Sequence, residues 1–259
     1  MRLVLIGWGA IGAEVARLLM ARKAPVDLVA VGLRAPRDGL PCPVLTDPAD
    51  LAALRPDLVV EAAGRAAVLP WGLAALRAGA DFAPASTSAF AEDGVLDRLV
   101  DLARAQGRQV VIPPGALGGI GALAAAARLP LDSVIHEVIK PARAWQGTEA
   151  ESLCDLSGLA APTVFFEGPA REAARRFPQN ANVALITALA GLGADATRIR
   201  LIADPAAGAN RHRVLAQGAF GRMEITLDNL PLAGNPKSSA LTALSLLRLI
   251  ENRAGALVI

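Results

Sequence analysis

Between an apolar run at residues 2–6 and a helix-length amphipathic stretch, the chain reads Gly7-Trp8-Gly9-Ala10-Ile11-Gly12. Glycine at the first position permits a tight strand-to-helix turn. At the second it lets backbone approach a pyrophosphate, and at the third it allows helix and sheet to pack closely, while the helix N-terminus supplies N–H donors. Gly7, Gly9, Ala10, Ile11 and Gly12 are read as a dinucleotide-binding turn. The pattern is weak in isolation and specific in this strand–turn–helix context; the alternative is a glycine turn that merely satisfies packing.

An adenosine ribose is usually read by an acid near the end of the second strand, about 20 residues on. Here the segment is Val31-Gly32-Leu33-Arg34-Ala35-Pro36-Arg37, with no acid before Asp38. Arg34 and Arg37 suit a 2′-phosphate, because a planar guanidinium meets phosphate bidentately. That reading favours NADP, or use of both NAD and NADP. Two solvent-exposed arginines in an arginine-rich chain are the alternative.

There are two histidines, so counting nearly chooses the group for proton transfer near neutral pH. His136 lies in an apolar strand on a face with Val134, Val138 and Lys140, where a packed structural role is expected. His212 follows Gly208-Ala209-Asn210 at the start of a strand, where a loop can present it to a cleft, and it is the favoured general acid/base. Of 26 basic residues three are Lys, at 23, 140 and 237. Lys140 and Lys237, with Ser238 beside the latter, are candidate anchors for a substrate carboxylate, or else surface or helix-end cations. Phe177-Pro178-Gln179-Asn180-Ala181-Asn182 leads into an apolar helix. Asn180 and Asn182 are either helix caps or carboxamides that meet coenzyme or substrate.

The elements that must position these groups follow from periodicity. Strands are predicted at 2–6, 27–32, 44–45, 58–62, 81–85 and 109–112, alternating with helices at 10–22, 48–54, 66–78 and 95–106, the grammar of a parallel sheet with crossovers. Asp47 before Pro48 marks a helix start, and Gly79 and Gly107 mark helix ends. After Pro113-Pro114-Gly115 the pattern changes to strands at 133–140, 163–167, 198–203, 211–217 and 222–227 with helices near 119–128 and 181–192. A tail helix spans 238–251. The fold class is α/β: a Rossmann-type doubly wound parallel sheet with a second α/β domain built on a mixed or antiparallel sheet. Residues 1–112 plus 235–259 are expected to form the dinucleotide-binding domain, and 113–234 the substrate, catalytic and dimerisation domain.

Composition narrows the partners. The 259 residues carry 26 Lys and Arg against 24 Asp and Glu, a net +2 without a basic block, and aromatics are 3% with no Tyr. A nucleic-acid partner is therefore not expected. No apolar run approaches the ~20 residues of a membrane span, and no signal peptide is read at the N-terminus. Cys42 and Cys154 stand alone, so neither a disulfide framework nor a metal cluster is suggested and a reducing cytoplasm fits.

Taken together, the glycine turn, Pro114-Gly115-Ala116-Leu117-Gly118-Gly119, Lys140-Pro141 with Trp145-Gln146-Gly147-Thr148, Phe177-Pro178-Gln179-Asn180-Ala181-Asn182-Val183, Asn210-Arg211-His212, Phe220-Gly221 and the Asn235-Pro236-Lys237-Ser238-Ser239 segment resemble the L-aspartate dehydrogenase family. The resemblance implies an NAD(P)-dependent oxidoreductase that takes L-aspartate to iminosuccinate, which gives oxaloacetate and ammonia or feeds NAD biosynthesis, and that runs the reverse amination. It carries the catalytic histidine onto His212 and coenzyme contacts onto Ala116 and Asn182; Arg34 and Ala63 are placed with the coenzyme contacts and Lys140, Asn180, Lys237 and Ser238 with the substrate. A homodimer is expected. Two other readings stay open: a cyclic-imine reductase of amino-acid biosynthesis, and a non-catalytic NAD(P) sensor.

Overall fold

The structure is a computed structural model. It describes every residue except Ala233 and Gly234, and for Gln179, Pro236 and Lys237 the backbone alone. The chain divides into two compact units, Met1–Gly115 with Leu232–Ile259, and Ala116–Pro231.

The first unit begins β1 (Arg2–Ile6), α1 (Ala10–Ala21), β2 (Asp27–Gly32), β3 (Val44–Leu45), α2 (Leu51–Leu54), β4 (Leu58–Glu61), α3 (Arg65–Arg77), β5 (Asp81–Pro84) and α4 (Val95–Gln106). Its five strands are ordered β3-β2-β1-β4-β5, all parallel. The order reverses between β1 and β4, so their carboxyl ends form the switch point where open α/β sheets bind ligands. The Asp47 carboxylate caps the turn before α2 by accepting from the Ala49 N–H at 2.9 Å, and Gly107 closes α4 with a left-handed backbone.

A sixth strand at 109–112 does not form. A single bridge, Phe82 to Val110, takes its place. The Asp81 carboxylate takes the Gln109 N–H at 2.8 Å, and Pro113 and Pro114 downstream have no N–H with which to continue a ladder.

The second unit contains α5 (Ile120–Ala126), β6 (Leu131–Pro141), α6 (Ala150–Leu153), β7 (Thr163–Pro169), α7 (Ala170–Arg176), α8 (Ala181–Ala190), β8 (Arg198–Asp204), β9 (Asn210–Gly218) and β10 (Gly221–Asn229). The sheet order is β10-β9-β6-β8-β7. β6 and β8 run parallel and the other pairs antiparallel, so the sheet is mixed. Val134, His136 and Val138 are buried on the face of β6 that α8 covers. α6 escapes periodicity because it has only four residues, and the alanine-rich α7 because alanine carries little apolar contrast between faces.

β11 (Pro231–Leu232) and β12 (Asn235–Ser239) precede α9 (Ala240–Ala254). The tail helix starts two residues later than predicted, because the Ser239 hydroxyl accepts from the Leu241 N–H at 3.2 Å and so serves as its cap. Ala243, Leu246, Leu247 and Ile250 join Leu3, Leu5, Val15 and Leu19 in one apolar core, and Arg22 grips Glu251 with two bonds of 2.6 and 3.3 Å. None of the described helices is long and apolar enough to cross a membrane.

Leu246 has no exposed surface. Leu246→Ala is therefore expected to cost about 3 kcal/mol through lost burial and a residual cavity, read as an earlier unfolding midpoint in urea.

Candidate active site

The glycine turn sits at the carboxyl end of β1. Gly7 has φ +99°, and a Cβ there would lie 2.7 Å from the Ala62 carbonyl oxygen; one on Gly12 would lie 2.2 Å from the Gly7 oxygen. Both positions therefore exclude a side chain. Gly9 differs, since a Cβ there meets nothing within 4 Å. Gly9 precedes α1, whose first N–H groups have no side-chain cap and no acid in the first turn. An open approach to unpaired donors at a helix N-terminus fits a pyrophosphate.

The adjoining loop is held by a residue that sequence reasoning missed. Glu61, fully buried at the end of β4, accepts from the Ala63 and Gly64 N–H groups at 2.7 Å each, and from the Ser86 hydroxyl at 2.9 Å and N–H at 3.1 Å. Burial raises its pKa above the usual carboxylate value, against the pull of these four bonds. The carboxylate ties Ala63 to the end of β5. Its signal in the sequence was an acid closing an otherwise apolar strand.

At the end of β2, a Cβ on Gly32 would lie 2.6 Å from Ile6 Cδ1 and 2.9 Å from Trp71 Cη2. Packing therefore denies this position an acidic side chain. Arg34 and Arg37 follow it and are exposed.

In the second unit, β6 and β9 pair antiparallel with His136 opposite Val214 and His212 opposite Val138. That register puts the two imidazoles diagonally on one face, with His136 Nε2 3.1 Å from His212 Nδ1. On its far side His136 Nδ1 lies 2.9 Å from Thr187 Oγ1 of α8. His136 is thus buried as predicted, but it is bonded to the candidate base instead of being merely packed. His212 is the third residue of β9 and is 6% exposed. Its pKa falls to about 4, through burial first and the charge of Lys140 second. His136 is held well below the ordinary imidazole value by burial and then by His212.

Lys140 lies on the same face of β6, four residues from His136. Its ammonium stands over the Trp145 ring at 4.9 Å, and burial lowers its pKa to about 8. Trp145 is fixed in turn by its indole N–H, which donates to the Ile202 carbonyl at 3.0 Å, and by edge contacts with Phe165 and Phe177.

Phe177 anchors the Phe-Pro-Gln-Asn segment in that aromatic cluster. Asn180, 6% exposed, precedes α8 without making a side-chain cap bond. The helix runs back along β6: a Cβ on Gly191 would lie 3.2 Å from Val134, Thr187 meets His136, and Ala184 shares a cluster with Val138. Asn180 therefore lies toward the Lys140 end of the strand. Asn182 is exposed on α8. Ala116 is buried and its carbonyl accepts from the Asn229 amide at 2.8 Å, a second contact unforeseen from sequence. Ser238 receives a bond from the Asn235 amide at 3.1 Å. The Lys237 side chain lies outside the described residues.

Residues 121–253 match the family model for the aspartate dehydrogenase C-terminal domain, and residues 7–113 that for the NAD-binding domain of homoserine dehydrogenase. The chain is 56% identical to the L-aspartate dehydrogenase of Brucella anthropi, over 99% of this chain and 98% of that one. The chain belongs to the aspartate dehydrogenase family. The L-aspartate dehydrogenase of Pseudomonas aeruginosa is 46% identical over the whole of both chains. The solved aspartate dehydrogenase of Thermotoga maritima superposes with a TM-score of 0.81 at 28% identity, covering 100% of this chain and 99% of that one.

The buried His212 imidazole resists protonation in the folded chain. Because the His212 pKa falls from an ordinary 6.5 to about 4, the unfolded chain binds more protons between those values. The associated stabilisation is complete above pH 6.5 and is lost as pH falls toward 4. Between pH 6.5 and 5 this residue should account for about 1–2 kcal/mol. Urea unfolding at the two pH values is expected to show a smaller pH-dependence in His212→Gln than in the unaltered protein.

Proposed function

We propose that the protein catalyses the NAD(P)-dependent oxidative deamination of L-aspartate to iminosuccinate, and thence oxaloacetate and ammonia, together with the reverse reductive amination. What carries this reading is the placement of His212 and Lys140 on one face of the second sheet, in a chain matching L-aspartate dehydrogenases from end to end.

Gly7, Gly9, Ala10, Ile11, Gly12, Arg34 and Ala63 on the first unit are the proposed coenzyme contacts; Ala116 and Asn182 on the second are assigned so by the family resemblance. Bound coenzyme supplies the acceptor for the hydride that leaves the substrate α-carbon. The rest falls to side chains. His212 takes a proton from the substrate ammonium so that its nitrogen lone pair can drive the hydride off, and it later activates the water that adds to the imine. A site for a dicarboxylate needs fixed cations and donors. Lys140 and Asn180, at one end of β6, fill that role, and Lys237 and Ser238 are proposed from the family segment alone.

Lys140 also tunes the base. Its positive charge depresses the His212 pKa, and a carboxylate bound at the ammonium opposes that charge and raises it again. Substrate binding thereby makes His212 a stronger base when one is required. A non-catalytic sensor has no use for such a coupling.

Small molecules, not nucleic acid or membrane, are the proposed partners, and the cytoplasm the proposed location, in keeping with free Cys42 and Cys154. We assign a homodimer. Support comes from the sheet face opposite the histidines, where partly exposed Ile135, Ile139 and Leu215 surround a buried Glu137 paired with Arg200 and Arg213.

Purified protein is expected to oxidise NADH or NADPH with oxaloacetate and ammonium, and not with pyruvate or 2-oxoglutarate; no turnover with oxaloacetate would refute the assignment. His212→Ala should lower kcat by about 10²–10⁴-fold while coenzyme affinity stays near its original value. Arg34→Ser should raise KM for NADPH about tenfold, the loss of one charged phosphate contact, and change KM for NADH little. Equal effects on both coenzymes would remove Arg34 from 2′-phosphate recognition.

A further inference from the structure

We infer that His136 and Thr187 are positioning residues that hold His212 in the tautomer with its Nδ1 protonated and its Nε2 free to accept a proton. The inference rests on the reading of His212 as the acid–base group and specifies how that group is kept in a working state.

The argument is one of hydrogen-bond direction. Three contacts lie in series: His212 Nδ1 to His136 Nε2 at 3.1 Å, His136 Nδ1 to Thr187 Oγ1 at 2.9 Å, and Thr187 Oγ1 to the Val183 carbonyl at 3.1 Å. The last member is a carbonyl and can only accept. If Thr187 donates to it, the hydroxyl oxygen accepts from a protonated His136 Nδ1. Neutral His136 then has a bare Nε2, which accepts from a protonated His212 Nδ1. Each of the three contacts is a hydrogen bond in this arrangement, and the His212 Nε2 lone pair is left over.

The reverse arrangement makes one bond fewer. Thr187 would donate to His136 Nδ1 and His136 Nε2–H to His212 Nδ1, leaving the Val183 contact without its proton. His212 would then carry its proton on Nε2 and offer no acceptor there. Backbone polarity at Val183 thus selects, through two side chains, the proton position on a residue of a different element. Burial keeps both imidazoles neutral near pH 7, so the choice lies between tautomers, not between charge states.

The same chain supports the protonated state. When His212 Nε2 takes a proton, its Nδ1–H bond to the bare His136 nitrogen becomes charge-assisted. A base whose second nitrogen is held by an orienting partner is a recurrent catalytic arrangement. Here a second imidazole fills the place a carboxylate usually takes, without adding a negative charge beside Lys140.

The chain's two histidines are both in this pair, so long-range ¹H–¹⁵N spectra of protein labelled at histidine report only on it. At pH 7 the unaltered protein is expected to show both imidazoles with protonated Nδ1 and bare Nε2, the His212 signals being assigned by their loss in His212→Gln. A protonated Nε2 on His212 would overturn the inference, whatever the turnover. Thr187→Val should mix the tautomers and lower kcat about tenfold or more, as misplacing a base's proton does, with coenzyme KM unchanged. Thr187→Ser should restore both. An unmixed spectrum with full kcat in Thr187→Val also refutes the inference. Retained turnover in His212→Ala refutes instead the acid–base reading, which separates the two failures.

Discussion

Two imidazoles 3.1 Å apart in an apolar interior can share only one proton between their facing nitrogens. A second would set two N–H donors against each other with no acceptor between them. The second sheet is arranged around that constraint. β6 and β9 must pair in the observed register, because a slip of one residue would turn either ring to the opposite face. The α8 helix must run along β6 so that Thr187 reaches His136, and Gly191 allows its end to close on Val134. Lys140, the neighbouring cation, is held off by its seat on Trp145.

The first unit solves a different problem with a buried charge. A phosphate-binding turn has to leave backbone N–H groups at the helix start open to a ligand, so its neighbourhood gains from ties made elsewhere. Glu61 supplies such ties from the adjacent strand, spending its carboxylate on Ala63, Gly64 and Ser86. Gly7 and Gly12 meanwhile let backbone come within contact distance of backbone. Rigidity is gathered around the turn, while the open space lies at Gly9.

The glycine turn and the parallel strands were legible because their signals are local: a spacing, a run of β-branched residues, a cap. Most helix ends fell within two residues of expectation for the same reason. His212 could be chosen by counting, since the chain has so few histidines. Its coupling to His136 could not, because 76 residues separate them and only antiparallel register brings them together. Thr187 was hidden in an apolar helix, and Glu61 and Asn229 act through backbone groups that no spacing reveals. The predicted sixth strand failed where two prolines removed the donors it required. Spacing left Asn180 as either a helix cap or a ligand-facing carboxamide, and its buried side chain makes no cap bond.

On the proposed assignment of Lys140 and His212, selectivity for a dicarboxylic amino acid follows from how these charges balance. In the proposed site without substrate, burial and the positive charge of Lys140 together keep the His212 imidazole a poor base. A carboxylate bound at the Lys140 ammonium would offset that charge and so raise the basicity of His212. A substrate lacking that carboxylate finds the coenzyme and the histidine present but the histidine untuned. Its penalty falls on kcat as well as on KM, because the missing charge belongs to the activation of the base and not only to the grip on the substrate.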